Sequence, residues 1–230
     1  MNSSLEITVG ARSSPLSQIQ VKEVLDELHQ HHPHIQFQPV FLKTKGDHDQ
    51  KTSLRDLDKT DFFTKELDQM LLKGQVRICV HSAKDLPDPI PKGLEWICLT
   101  KGVDSRDALV LRPGQTLSSL LPHAVIATSS VRREEVVRSM RSDLTFSDLR
   151  GTIGMRLEKL NEGIDGVVIA EAALIRLKLT HLNRIYLEGE TTAYQGQLAI
   201  LARKDDEEMI ELFSPLDVRK KDNEHLVPRP

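Results

Sequence analysis

The chain has 230 residues, enough to bury a sizeable core in one large domain or two smaller ones. Its 31 Lys and Arg stand against 34 Asp and Glu, a formal net charge of −3; no global positive field marks a nucleic-acid partner, so any anion site has to be a local cluster. Two cysteines do not make a disulfide scaffold, the N-terminal MNSSLEITVG lacks the parts of a secretory signal, and no apolar run approaches membrane-spanning length. These features predict a cytoplasmic protein with reduced, buried thiols.

In chain order, EITVGA (6–11) reads as a strand, and the amphipathic stretch 15–30 reads as a helix with Val21, Val24, Leu25 and Leu28 on one face. Ser14 suits its N-cap and Pro15 its first turn. HQHHPH (29–34) reads as solvated histidines at a helix end before Pro33, with no metal expected. FQPVFLKT (37–44) is a second strand, and the polar, aperiodic 44–61 reads as a long loop. FTKELDQMLLKG (63–74) is a helix closed by Gly74. Strands are then predicted at RICVHSA (77–83), LEWICLT (94–100), AVIATS (124–129) and DGVVIAE (165–171). KDDEEMIEL (204–212) is an acid-rich helix start, and the charged 217–230 is expected to bury nothing. Alternating strands and helices predict an α/β fold.

The loops after the strands carry the chemistry. The first strand leads into Arg12 and Ser14, AVIATS into Thr128, Ser129, Ser130, Arg132 and Arg133, and Arg150-Gly151-Thr152 opens a helix that bears Arg156. Helix-start N–H groups, hydroxyls and guanidinium forks capture carboxylates or phosphates, and in an open parallel sheet such loops gather at the carboxyl ends of strands. For any one of them the alternative is an ordinary capped helix with a solvated arginine, and Lys84-Asp85 before Pro87 alone reads as a solvated turn. Arg176 alone reads as an exposed helix arginine.

The ordered series VGARSSPLSQIQ, FTKEL, VHSAKDLP, DSRDALV, IATSSVRR, LRGTIGMRLEKL, GVVIAEAALIRL and AYQGQLAI resembles the porphobilinogen deaminase (hydroxymethylbilane synthase) family from residue 6 to about 200. The resemblance implies a two-lobed architecture like type II periplasmic binding proteins, with mixed sheets and an interdomain cleft. It implies a first domain of 1–100 plus 195–216, a second of 101–194, and a charged tail at 217–230. The implied activity joins four porphobilinogen units head-to-tail into a linear tetrapyrrole, with release of ammonia, on a dipyrromethane primer. Asp85 matches the family's catalytic aspartate. Arg12, Ser14, Lys84, Thr128, Ser129, Ser130, Arg132, Arg133, Arg150, Arg156, Arg176 and Gln195 match positions that bind substrate or primer carboxylates.

The sequence departs from the family pattern in three places. The flap reads Thr60-Asp61-Phe62 where the family has Lys-Gly before the phenylalanine, and the return segment reads Tyr194-Gln195-Gly196-Gln197. The usual third domain, whose Gly-Gly-Cys loop anchors the primer, is not seen, so the primer is expected to be noncovalent or missing. Cys79 reads as a packed core thiol, and neither it nor Cys98 is assigned as an anchor. A noncatalytic binding module for pyrrole polycarboxylates is the alternative, and a sensory effector domain a third, weaker one. A monomer acting on porphobilinogen, without nucleic acid or membrane, is the expected form.

Overall fold

The computed structural model describes residues 6–49, 52, 53, 55 and 60–220. In chain order the elements are β1 (Glu6–Arg12), α1 (Pro15–His31), β2 (Gln36–Leu42), α2 (Lys45–His48), α3 (Lys65–Leu72), β3 (Ile78–Ser82), β4 (Leu94–Leu99) and β5 (Asp107–Leu111). They continue with β6 (Val125–Ala127), α4 (Val131–Met140), β7 (Thr145–Ser147), α5 (Ile153–Glu158), β8 (Gly166–Ala170), α6 (Glu171–Arg176), β9 (Arg184–Tyr186), β10 (Leu198–Arg203) and α7 (Glu207–Leu212). They fall into two compact units. The first takes the described residues within Met1–His48, Lys59–Gly102 and Gln197–Pro230, the second those within Asp49–Asp58 and Val103–Gly196.

The first unit's sheet has the order β2-β1-β3-β10-β4, with β1 parallel to β2 and β3 and β10 antiparallel to both its neighbours. Alternation along β1 sends Ile7, Val9 and Ala11 into one core with Val21, Val24 and Leu28 of α1, as the helical spacing predicts. The opposite face packs Cys79, Leu67 and Leu71 into a second core under α3. Ser14 caps α1, its side chain accepting the Ser17 N–H at 3.2 Å, and Pro15 occupies the first turn.

The second unit repeats the plan. Its sheet runs β7-β6-β8-β5-β9, with β6 parallel to β7 and β8 and β5 antiparallel to both neighbours. Leu109, Ile126, Val137 and Val168 form its core. In each unit the parallel strands put their following loops along one edge of one sheet, the edge that carries the hydroxyl and guanidinium residues.

Several sequence expectations are corrected. Strands β5, β7, β9 and β10 were not anticipated: β5 and β10 are near-continuous apolar runs without alternation, as double-sided burial demands, and β7 and β9 have only three residues each. The expected loop over 44–61 contains the helical turn α2 and ends where a 3-10 turn, Asp61–Phe63, begins; residues 50, 51, 54 and 56–59 of that expectation lie outside the described residues. The closure of α3 by Gly74 is as expected: at φ +67 it follows Lys73, its N–H reaches the Leu71 carbonyl at 3.0 Å, and the Gln75 N–H reaches the Met70 carbonyl at 2.9 Å. The charged tail does bury something: Asp217 is 2% exposed, accepts the Leu99 N–H at 3.0 Å and pairs with Arg219. Residues 221–230 lie outside the described residues.

Candidate functional site

In the first unit, Arg12 ends β1 and places its guanidinium on Asp47. Nε lies 3.2 Å from both carboxylate oxygens and Nη2 closes the second contact. Asp47 is held in turn by the Thr44 N–H and hydroxyl, both at 3.0 Å, and the Phe63 ring lies 4.4 Å beneath the guanidinium carbon. Burial pushes the Asp47 carboxyl up, but the Arg12 hydrogen bonds and charge, with Thr44, outweigh it and hold the carboxyl below the usual range. Nη1 of Arg12 has no partner among the described residues, so one edge of the fork stays open to an anion.

Along the same sheet edge β3 runs into a 3-10 turn, Ala83–Asp85. Ala83 and Leu86 sink into the second core, and the Ala83 N–H reaches the Gln197 carbonyl at 3.0 Å. With those two residues anchored, Lys84 between them is half-buried and Asp85 is turned outward. The Asp85 carboxylate makes no hydrogen bond or ion pair to another described residue.

His81, which lies in the VHSAKDLP string but is given no role there, is buried on β3, and its Nε2 has no partner among the described residues. Burial first and the Arg12 charge second push its imidazole down to about 4, so it is neutral at physiological pH. Its signal in the sequence is slight, since a histidine at the end of an apolar strand looks like any other polar strand terminus.

In the second unit, the three hydroxyls after β6 serve the fold directly. Thr128 is buried and its Oγ1 accepts the Ser130 N–H at 3.2 Å. Ser129 Oγ donates to the Leu149 carbonyl at 2.8 Å and accepts the Leu149 N–H at 2.7 Å, and Ser130 caps α4. Arg132 and Arg133, on the first turn of α4, converge on Asp107, which is 1% exposed and begins β5. Gln195 joins them: its Nε2 donates to Asp107 at 2.8 Å and to the Ser105 carbonyl at 2.7 Å, while its Oε1 accepts from Arg133 at 3.2 Å. Desolvation raises the Asp107 carboxyl, but Arg133, Arg132 and Gln195 together pull it below the usual range. Sequence reasoning misses Asp107 because its partners lie 25 to 88 residues away.

The remaining expected ligands do not join that cluster. Arg150 donates to the Asp49 carbonyl, Arg156 donates to the Gly151 carbonyl at 2.8 Å, and Thr152 between them caps α5. Arg176 is 8% exposed and donates to the Gly196 carbonyl at 2.9 Å, which corrects the expectation of an exposed helix arginine. Gly196 has φ +86, and a Cβ there would stand 2.3 Å from the Asp104 carbonyl oxygen, so both reasons for glycine apply. Arg55, which lies in no motif, bridges Asp148 at 2.6 Å and Glu134 at 2.7 Å.

The donor set fits a ligand rich in carboxylates: guanidinium groups and helix-start N–H groups recur at strand ends. The two thiols do not fit a thioether anchor. Both are buried; burial pushes Cys79 far up, and burial together with Asp217 pushes Cys98 up to about 12. No described helix is long and apolar enough to cross a membrane, and no described group of three His, Cys, Asp or Glu side chains could hold a metal ion.

The fold is shared with effector-binding proteins. The BenM effector binding domain with its effector benzoate matches at a TM-score of 0.55 and 13% identity, covering 98% of this chain and 96% of that one. Full-length CbnR complexed with its target DNA matches at 0.56 and 13%, covering 95% and 70%. Such identities establish the fold alone: α/β, with two units, each built on a mixed sheet, of the type II periplasmic-binding-protein-like class.

The sequence matches identify the family. Residues 7–211 match the model described as "Porphobilinogen deaminase, dipyromethane cofactor binding domain". A porphobilinogen deaminase of Streptococcus sanguinis is 36% identical over 222 residues, 93% of this chain and 72% of that protein. One of Caldicellulosiruptor saccharolyticus is 41% identical over 197 residues, 85% of this chain and 68% of that protein. The chain therefore belongs to the porphobilinogen deaminase family, whose members are transferases of tetrapyrrole synthesis. The comparisons give no support to a noncatalytic binding module.

Proposed function

We propose that the chain is a hydroxymethylbilane synthase that condenses four porphobilinogen units head-to-tail into a linear tetrapyrrole, releasing one ammonia per unit. The observation that carries this reading beyond family membership is the state of Asp85. Asp47, Asp107, Asp148 and Asp206 are each held by an arginine, whereas Asp85 is exposed on an anchored turn with its carboxylate uncommitted. A lone fixed carboxylate is what the reaction requires. Loss of ammonia from the aminomethyl group leaves a cationic methylene-pyrrole, which a nearby carboxylate stabilises while it moves protons to the leaving amine and from the pyrrole.

Porphobilinogen carries an acetate and a propionate side chain, so orientation falls to cationic and hydroxyl donors. In this reading Arg12, Ser14, Lys84, Thr128, Ser129, Ser130, Arg132, Arg133, Arg150, Arg156, Arg176 and Gln195 bind or support those carboxylates. The open Nη1 edge of Arg12 and the half-buried Lys84 supply direct contacts in the first unit. Thr128, Ser129 and Arg176, whose side chains are engaged with backbone, act by fixing loops. A bound dipyrromethane primer would supply the free α-carbon that attacks, and the arginines would hold its carboxylates without a bond to Cys79 or Cys98.

The reading also carries a cytoplasmic monomer. The purified chain, given porphobilinogen with and without preassembled primer, should release ammonia and form hydroxymethylbilane. Absence of both products under both conditions rejects the proposed reaction.

A further inference from the structure

We propose that Asp107 is the positioning residue of a guanidinium pair, holding Arg132 and Arg133 in the geometry in which they take a ligand carboxylate. The inference rests on the proposed function, in which these two arginines bind substrate or primer. No role for Asp107 follows from that function itself.

Two adjacent guanidinium groups on the first turn of one helix repel each other and add to the positive end of the helix dipole. Asp107 lies against both. Its Oδ1 takes Arg133 at 2.6 Å, and its Oδ2 takes Arg132. Gln195 fixes the carboxylate from a third side through Nε2 at 2.8 Å, and that amide is itself tied to the Ser105 carbonyl. Three side chains that the family resemblance assigns to ligand binding thus meet on one carboxylate to which it assigns nothing.

Burial decides which member of the cluster meets a ligand. The Asp107 side chain is 1% exposed and Arg133 12%, while Arg132 is 30% exposed. Asp107 is therefore covered by protein and acts through its partners. The Glu190 carbonyl takes Arg132 Nη1 at 2.9 Å, so the more exposed guanidinium is clamped at both ends. Two cations and one anion leave a net charge of +1, suited to one carboxylate, and the clamps remove most of the entropy that a free arginine would lose on binding it.

The test compares wild type with Asp107→Asn, both as the full chain and at a temperature well below either Tm. Porphobilinogen affinity is measured by calorimetry and turnover by ammonia release. The asparagine keeps shape but removes the anchor, so Kd and KM should rise together by about tenfold or more while kcat stays within about threefold, the mark of lost uniform binding. Asp107→Glu, which keeps the charge, should recover part of that affinity. A purely structural role would lower Tm and leave Kd and KM of the folded variant unchanged, and that result overturns the proposal.

Should the asparagine variant fail to fold, nuclear magnetic resonance of the unmodified protein decides. Rotation of the Arg132 and Arg133 Nη groups should be slow without ligand, and rotation as fast as in a solvated arginine overturns the anchoring. Wild type that binds porphobilinogen without turning it over defeats the proposed reaction but leaves the Kd comparison to decide Asp107. Wild type that does not bind it defeats both.

Discussion

Asp68 of α3 is buried to 4% exposure with the Thr64 hydroxyl on its Oδ2 at 2.8 Å, and its Oδ1 has no partner among the described residues. Burial, with Asp61 and Glu66 adding like charge against the Thr64 hydrogen bond, raises this carboxyl to about 6. The folded state therefore binds the proton more tightly than the unfolded chain, so stability falls as pH rises from about 4 through about 6. Asp68→Asn does not titrate there, and should stabilise the protein at pH 8 by about 1–3 kcal/mol. Urea unfolding at pH 8 and near pH 4 checks this: the gain should shrink toward zero at the acidic end, and a pH-independent difference would contradict the cause given.

The Arg12–Asp47 pair predicts the opposite sign. Because the folded Asp47 carboxyl sits below its ordinary range, its contribution is present at neutral pH and fades as acid titrates it through its folded value. Asp47→Asn should cost about 1–2 kcal/mol at pH 7. The same urea series should show that cost disappearing as the pH falls below the ordinary carboxylate range.

Asp85 is exposed, so its replacement should leave the fold intact. Asp85→Asn should alter stability by no more than about 0.5 kcal/mol. Ammonia release per folded molecule should drop by about 10²–10⁴-fold, the range for loss of a proton-transferring or charge-stabilising group. Retention of more than about a tenth of wild-type turnover would remove Asp85 from the chemistry.

Gly196 is required twice over, by φ and by the Asp104 carbonyl. Gly196→Ala should destabilise by about 2–4 kcal/mol, strain and overpacking acting together. A thermal melt unchanged within error would show that the return segment can rearrange.

Both thiols should be silent in the native protein. A disulfide-exchange reagent should label Cys79 and Cys98 only as the chain unfolds, because neither is exposed and both thiols are held protonated. Rapid labelling of Cys98 in native buffer would reopen it as an attachment point.

Features that depend on near neighbours in the chain were legible in the sequence. The Ser14 cap, the Pro15 helix start and the buried face of α1 each come from side chains within one or two turns of the groups they satisfy. The family motifs were legible because they are themselves contiguous strings. β10 was missed because an apolar run buried on both sides has no period by which to tell strand from helix.

The sequence by itself determined the α/β class, the family and the series of guanidinium and hydroxyl groups after the strands. Only the tertiary structure decided what each of those groups touches. It set Asp107 against Arg132, Arg133 and Gln195, Asp47 against Arg12, and left Asp85 outward. The physical reason is that a charge's environment is fixed by burial and by partners brought from remote segments, and neither is written in the residues beside it.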